Sequence, residues 1–137
     1  MQTFMPYPNI IKSVMCLDYR RLGKQRVEAM QIYNQITTGK GGFPYHPINN
    51  MWKDNHNALA YYHNVCISEW VRRGYNNTME KIDFSFYNPK GDFLPDWLGD
   101  DRLHASHRSN LIRKDPTHYG QYNWTEPNNL AYHWRYQ

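Results

Sequence analysis

The chain has 137 residues, of which 40% are hydrophobic, 20% charged and 16% aromatic. This length fits one domain and excludes a two-domain cofactor enzyme, while 5 Trp, 12 Tyr and 5 Phe exclude a disordered chain because aromatic side chains bury large apolar areas. Sixteen Lys and Arg against 12 Asp and Glu leave a net charge of +4, which suits an anionic partner.

The first half of the chain predicts two helical regions behind an extended start. Residues 1–11 contain two prolines, and both proline and the residue before it resist helix formation. A helix is predicted from about Asp18 to Ile36, because apolar residues recur there at helical spacing. These residues are Leu22, Ala29, Tyr33 and Ile36. After a loop rich in Gly and Pro, a second helical region is predicted from about Asn50 to Arg73.

The second half predicts one more helix and an irregular end. Asp100 or Asp101 can cap a helix that runs through Lys114, where an Asp-Pro step ends it. The last twenty residues are aromatic and interrupted by proline, and only 82–87 could pair locally as strands. The predicted fold class is mainly α. Residues 1–137 are expected to form a compact single-domain bundle of about three main helices with an aromatic, irregular C-terminal wrap.

Charged residues on the first long helix form one candidate site. At about 100° per residue, five side chains share the face opposite the apolar stripe. They are Arg20, Arg21, Lys24, Glu28 and Gln31. A solvated face with a Lys24–Glu28 pair is the ordinary explanation of such a cluster. However, Glu28 and Asp18 are the only acids among the first 53 residues, and a lone carboxylate in basic surroundings is a candidate for an active site that faces an anion.

A second candidate site lies on the third helix. Its side chains offer many hydrogen-bond donors to phosphate oxygens. They include His104, His107, Arg108, Arg113 and Lys114. One alternative is a polar helix surface with one buried histidine. Another is a metal site completed by His56 or His63, although no HExxH or CxxC motif accompanies these residues.

Tyr45 and His46 form a third candidate, because they lie on the loop rich in glycine and proline. Loop side chains are well placed to contact ligands, and aromatic rings can stack on bases. The chain has no P-loop, dinucleotide-binding fingerprint or GxSxG elbow, which argues against nucleotide hydrolysis, dinucleotide redox chemistry and α/β-hydrolase chemistry. Cys16 and Cys66 lack CxxC spacing and are predicted to be buried free thiols.

Three segments carry a resemblance when they are taken in order. They are Asp18-Tyr19-Arg20-Arg21-Leu22, then Arg72-Arg73-Gly74-Tyr75-Asn76, then His104-Ala105-Ser106 through Lys114 to Pro116-Thr117-His118-Tyr119. The chain thereby resembles the pyrimidine-dimer DNA glycosylases of the bacteriophage endonuclease V type and their phage and bacterial relatives. The corresponding family motifs are an acidic-Tyr-Arg-Glu-Leu segment, Lys-Arg-Gly-Phe-Asn, and a His-Glu-Ala-Ser helix leading into Pro-Thr-Trp-Tyr.

The resemblance implies a mostly helical domain that binds damaged duplex DNA and displaces a base. A chain-terminal α-amine would attack the sugar C1′ to form a Schiff base, with a glutamate supporting the transition state and without a metal or other cofactor. On this chain the catalytic candidates are Met1 and Glu28. The DNA-binding candidates are Arg20, Arg21, Lys24, Tyr45, His46, His104, His107, Arg108, Arg113 and Lys114. The predicted function is a DNA glycosylase with AP-lyase activity on a damaged or modified pyrimidine.

Two positions depart from the family pattern. The family's amine belongs to the residue exposed by removal of the initiator methionine, but here Gln2 follows Met1, and a large side chain at position 2 normally blocks that removal. Arg21 aligns with the family's catalytic glutamate. Either Glu28 takes the role of that glutamate, or the family's chemistry is lost or altered in this chain. The alternative function is therefore a non-catalytic protein that binds nucleic acid or nucleotides, and a third is a histidine-based metal or phosphoester enzyme.

The expected partner is duplex DNA, and no membrane partner is expected. No apolar run approaches the length of a membrane span, and no basic-then-apolar signal segment begins the sequence. The chain is expected to be a monomer in the cytoplasm, or in the host cytoplasm if a phage encodes it.

Overall fold

Six α-helices account for the regular structure of residues 1–135, the part of the chain that the computed structural model describes. They are α1 (Ile10–Met15), α2 (Tyr19–Thr38), α3 (Ile48–Trp52), α4 (His56–Arg72), α5 (Asp101–Lys114) and α6 (Pro116–Tyr119), and a 3-10 turn at Gly120–Tyr122 follows them. No strand occurs within this range, including residues 82–87. The predicted mainly α fold, with three long helices, is confirmed.

Helix α2 closely matches its prediction and forms the centre of the fold. Its buried residues Leu22, Ala29 and Ile32 face the core, and the helix packs chiefly against α4. Gly39 ends it in the left-handed conformation (φ 70°) and donates its N–H to the Gln35 carbonyl. This ending satisfies one of the carbonyls that every helix terminus leaves open.

The prediction of one helical region from Asn50 to Arg73 is wrong, because the chain breaks between α3 and α4. Asn55 leaves helical geometry at φ −138° and ψ 44°. Its side-chain amide donates to the carbonyls of Asp92 and Phe93, at 2.9 and 3.2 Å. A side chain that bonds to distant backbone in this way fixes a break that helical periodicity does not show.

Helix α5 has the predicted bounds, and Asp100 caps it by accepting the Arg102 N–H. Two short helices were not predicted. Asn9 accepts the Lys12 N–H and so starts α1 inside the stretch predicted to be extended, while Asp115 accepts the His118 N–H and starts α6 just after α5 ends. Single side-chain caps initiate both helices, which are too short to show an apolar stripe.

The extended N-terminal segment (residues 1–9) runs through the interior between α2 and α5. Gln2, Thr3, Phe4 and Met5 are all buried. The Phe4 N–H donates to Gln25 Oε1 at 3.0 Å, and the Met5 N–H donates to His107 Nδ1 at 2.8 Å. The two long helices therefore fix the position of the start of the chain.

The C-terminal segment begins at residue 123, and its described part packs irregularly over α5, as predicted. Ser106 Oγ accepts the His133 N–H at 3.0 Å, and Asn110 donates to the Leu130 carbonyl at 3.1 Å. Tyr132 and Trp134 are half-buried against the core. Residues 136 and 137, at the end of this segment, lie outside the described residues.

Two further sequence expectations concern the interior and the membrane. Cys16 and Cys66 are both buried and free, as predicted. Burial raises the pKa of the Cys16 thiol to about 12. Among the described helices, none has the length and apolar character needed to cross a bilayer.

Candidate active site

A basic cleft of about 230 Å³ lies where the N-terminal segment meets α2. Its walls come from four parts of the chain: the N-terminal segment, α2, the end of α5 and the C-terminal segment. The lining residues are Met1, Gln2, Phe4, Arg21, Lys24, Gln25, Glu28, Lys114 and Tyr132. The structure thus brings Met1, Glu28 and three of the predicted DNA-binding residues to one place.

The half-buried carboxylate of Glu28 is tied directly to the start of the chain. Its Oε2 accepts the Gln2 N–H at 3.3 Å and an N–H of the Gln25 amide at 3.3 Å. Within residues 1–135 nothing donates to the other oxygen, Oε1. Because one residue separates the Met1 and Gln2 nitrogens, standard bond lengths place the Met1 amine within about 8 Å of Glu28 Oε2.

The buried Gln25 side chain forms hydrogen bonds to both the N-terminal segment and Glu28. It is 1% exposed. Its Oε1 accepts the Phe4 N–H and lies 2.7 Å from the Tyr62 hydroxyl, while its Nε2 donates to the Gln2 carbonyl at 2.8 Å as well as to Glu28. The oxygen of the Gln25 amide is therefore engaged by the N-terminal segment and Tyr62, and its NH₂ group by the N-terminal segment and Glu28.

The charge in the cleft is mainly positive. Arg21, Lys24, Lys114 and the Met1 amine contribute cations, and Glu28 is the carboxylate among the lining residues. Asp18 does not face the cleft as a free acid, since it pairs with Arg21 at 3.2 Å and accepts the Tyr119 hydroxyl. Burial alone would raise the pKa of Asp18, but these hydrogen bonds outweigh burial and lower it. Glu28 is thus a carboxylate in a cationic cleft.

Comparison with known families bears on this cleft. The sequence profile of pyrimidine dimer DNA glycosylases matches residues 1–83, which is more than half of the chain. The chain belongs to this family. No curated protein and no solved structure matches it.

Membership of a DNA glycosylase family makes DNA the substrate class. The matched range holds the N-terminal segment and all of α2, and so includes Met1, Arg21, Lys24 and Glu28. The opposite wall of the cleft, formed by Lys114 and Tyr132, lies beyond the match. The matched range thus includes one wall of the cleft.

The predicted DNA-binding histidines of α5 are not on the surface. His104 and His107 are each 1% exposed. His104 Nδ1 donates to the Met5 carbonyl at 2.7 Å, and its Nε2 accepts the Gly99 N–H at 2.9 Å. Burial lowers the pKa of His104, and it lowers the pKa of His107 to about 3, so both rings are neutral. The prediction that these two histidines contact phosphates is therefore corrected, because both are buried and form hydrogen bonds to the N-terminal segment.

Two predicted arginines on α5 make intramolecular contacts. Arg108 pairs with Glu126 and also with Asp101 at 3.2 Å. Arg113 is exposed and donates to the Asn128 carbonyl and to the Asn110 side chain. Arg20, by contrast, is exposed on α2 beside the cleft residues Arg21 and Lys24.

The loop residues Tyr45 and His46 differ in their surroundings. Tyr45 is 97% exposed. His46 is half-buried, accepts the Ile48 N–H on Nδ1 at 3.1 Å and packs edge-on to Trp134 at 5.8 Å. Burial lowers the pKa of His46, and the nearby chain-terminal amine lowers it further while Glu28 opposes the shift. His46 therefore shares the electrostatic surroundings of the cleft.

Four cleft residues were missed by reasoning from the sequence: Gln2, Phe4, Gln25 and Tyr132. Gln25 alone left a signal, since it is an amide within the apolar stripe between Leu22 and Ala29. A polar side chain on a buried helix face must find partners inside the fold.

A second hollow, about 630 Å³ in volume, lies elsewhere on the molecule. Asp54, Asp92 and Asp96 contribute three carboxylates to its lining, and Lys90 contributes a cation. Because carboxylates repel a phosphate backbone, we assign the candidate active site to the smaller basic cleft. No three His, Cys, Asp or Glu side chains of residues 1–135 lie together as metal ligands.

Proposed function

We propose that this chain is a DNA glycosylase with AP-lyase activity that removes a damaged or modified pyrimidine from duplex DNA. The observation that carries the proposal is the shared cleft of Met1 and Glu28, in which the amine lies within about 8 Å of the carboxylate. That separation lets both groups contact one deoxyribose at hydrogen-bond reach. Arg20, Arg21, Lys24 and Lys114 would bind the flanking phosphates.

In the proposed reaction the Met1 ammonium first loses a proton to water. The lone pair of the resulting amine then forms a bond to C1′, and the base leaves with the electrons of the glycosidic bond. A proton then passes from nitrogen to the ring oxygen O4′ as the C1′–O4′ bond breaks, which opens the sugar ring and gives a protonated imine. Removal of a C2′ proton then expels the 3′ phosphate by β-elimination, and water hydrolyses the imine to restore the amine. Glu28 stabilises the cationic sugar and accepts a proton.

The peptide nitrogen of Gln2 is closer to Glu28 than the Met1 amine is, but an amide nitrogen has no nucleophilic lone pair. It instead donates its N–H to Glu28 Oε2, and Oε1 would be the oxygen available to the substrate. The proposed nucleophile is therefore the amine one residue earlier, and this position differs from that of the family pattern.

Borohydride trapping tests the proposal. The chain is incubated with duplex DNA that carries one abasic site, reduced, and digested so that mass spectrometry locates the adduct. We expect a covalent adduct on the Met1 nitrogen. Absence of an adduct, under conditions that trap a known lyase, would overturn the Schiff-base mechanism.

Glu28→Gln separates catalysis from binding. It retains the size of the side chain and removes its charge, so we expect cleavage at the abasic site to slow by about 10²–10⁴-fold, as for loss of a positioned acid–base group. DNA binding, measured by fluorescence anisotropy, is expected to stay within a few fold. Binding without cleavage in the wild-type chain would instead favour the non-catalytic alternative, to which the arginine at position 21 points.

A further inference from the structure

The Gln2 side chain has a donor group that the fold leaves unused. Gln2 lines the cleft and is 4% exposed. Its Oε1 accepts the Thr3 N–H at 3.0 Å. Its Nε2 is buried, and no atom of residues 1–135 accepts a hydrogen bond from it.

The orientation of this amide follows from its neighbour. Exchanging Oε1 and Nε2 would place the NH₂ group against the Thr3 N–H, two donors facing each other. The oxygen therefore belongs on Thr3, and the NH₂ group is the free end. A buried donor without a partner is costly to the folded chain, and such groups mark places where a ligand supplies the missing acceptor.

The fold uses only the backbone of Gln2 to build the cleft. The Gln2 N–H holds Glu28, and the Gln2 carbonyl accepts from Gln25 at 2.8 Å. Both ends of the neighbouring Gln25 amide are already engaged. Each of these polar groups thus has a hydrogen-bond partner in the fold, whereas Gln2 Nε2 has none among residues 1–135.

We propose that Gln2 Nε2 donates a hydrogen bond to the O2 carbonyl oxygen of the pyrimidine that is being removed, and so acts on the leaving base. The inference rests on the proposed function. O2 lies on the ring carbon next to the glycosidic nitrogen, and Gln2 is the residue next to the attacking amine. A donor on O2 would stabilise the negative charge that develops on this oxygen as the glycosidic bond breaks.

A carbonyl oxygen fits this donor better than a phosphate does. Phosphates have three full cations in the same cleft, Arg21, Lys24 and Lys114, whereas the Gln2 side-chain amide is a neutral donor. The cleft, at about 230 Å³, is also smaller than the sites of about 300–1,000 Å³ that hold larger ligands. This volume suits one sugar or a single-ring base.

Access to the amide requires a movement of the chain end. In this structure Nε2 is buried, and the half-buried Met1 side chain packs against the core. As the Met1 amine advances to the sugar, it uncovers the amide behind it, so that attack and hydrogen bonding to the base occur together.

Gln2→Met tests the inference, because it keeps the length of the side chain and removes the donor. A small residue at position 2 is avoided, since it would permit removal of Met1. Base excision is measured in single turnovers on duplex DNA with one thymine cyclobutane dimer, and lyase activity on the same duplex with an abasic site. We expect excision to slow by about 10²-fold or more, as for loss of an oxyanion donor, and abasic-site trapping to stay within about two-fold.

Gln121→Met is the matched control, because Gln121 is exposed and lies outside the cleft. It is expected to leave both rates unchanged. If Gln2→Met fails to fold by circular dichroism, Gln2→Asn replaces it, since its shorter amide withdraws the donor from O2 and the same split is expected.

Equal loss on both substrates in a folded variant, or no loss on either, overturns the role of Gln2. A wild-type chain that traps at the abasic site but excises no base from a thymine dimer or from a single oxidised thymine also overturns it. Failure of the proposed function looks different, because the wild-type chain then forms no adduct even where the base is already missing.

Discussion

At the scale of single residues, Gln25 links the packing of the core to the geometry of the cleft. One amide joins the N-terminal segment, α4 through Tyr62 and the Glu28 carboxylate. Helical periodicity puts this position on the buried stripe of α2, yet its partners come from positions 21 residues earlier and 37 residues later. Such a junction is visible only once the fold is assembled.

Replacing Gln25 with leucine should therefore destabilise the chain and disorder the cleft. The substitution leaves the Phe4 N–H and the Gln2 carbonyl buried without partners, at about 1–3 kcal/mol for each such group. We expect the free energy of unfolding, measured by urea denaturation, to fall by about 2–5 kcal/mol. Tyr62→Phe removes only one hydroxyl and should cost about 1 kcal/mol. A loss below about 0.5 kcal/mol for Gln25→Leu would contradict this role.

At the scale of elements, the sequence predicted those parts of the fold that depend on local pattern. The apolar stripe of α2 and the Asp100 cap of α5 are local, and both helices were predicted nearly to the residue. The break at Asn55 depends on a loop more than 35 residues later, so no local pattern contained it. His104 and His107 were placed on the surface for the same reason, since the segment that buries them lies about 100 residues earlier.

The candidate site, too, could be predicted only in part from the sequence. Glu28 was singled out as a lone acid among basic residues and Met1 through the family resemblance, and the structure places both in one cleft. Gln2 and Tyr132 carry no such mark in the sequence. Their positions follow from how the two ends of the chain pack, and spacing along one helix gives no information about that packing.

The contact between α5 and the N-terminal segment predicts a specific acid sensitivity. Neutral His107 accepts the Met5 N–H, and its native pKa of about 3 lies well below the reference value of about 6.5 for an unfolded histidine. As the pH falls below about 6.5, the unfolded chain binds a proton that the native chain does not. The contribution of His107 is thus fully present above about pH 6.5 and is lost as the pH falls towards 3.

Urea denaturation at pH 7, 5.5 and 4.5 measures this dependence. Unfolding free energy is expected to fall by up to about 1.4 kcal/mol for each pH unit for His107, with His104 adding to the slope. His107→Gln lowers stability at pH 7 but removes a titrating group, so its slope should be shallower than that of the wild-type chain. Parallel slopes for the two proteins would show that His107 does not titrate on unfolding.

At the scale of the whole molecule, the net charge of +4 conceals a division of charge between two hollows. The basic cleft collects Arg21, Lys24 and Lys114, whereas Asp54, Asp92 and Asp96 line the larger hollow. In the larger hollow Asp54 pairs with Lys90 and Asp96 pairs with Arg135, whereas the basic cleft has an excess of cations, which suits an anionic partner. The two walls of the cleft come from α2 and from the end of α5, so cations line it on two sides.

Because cations are concentrated in the basic cleft, we expect the salt dependence of DNA binding to depend on where a removed cation lies rather than on the total charge. Removing one cation that binds a phosphate should reduce the slope of log K against log salt concentration by about 0.9. We therefore expect Lys24→Gln and Lys114→Gln each to reduce the slope by about that amount in anisotropy titrations, using duplex DNA with a tetrahydrofuran abasic site. Lys90→Gln removes the same charge beside Asp54, where it forms an exposed ion pair, and should leave the slope unchanged. Equal effects of all three substitutions would mean that the chain binds DNA through its net charge, and that the cleft between α2 and α5 is not where the phosphates lie.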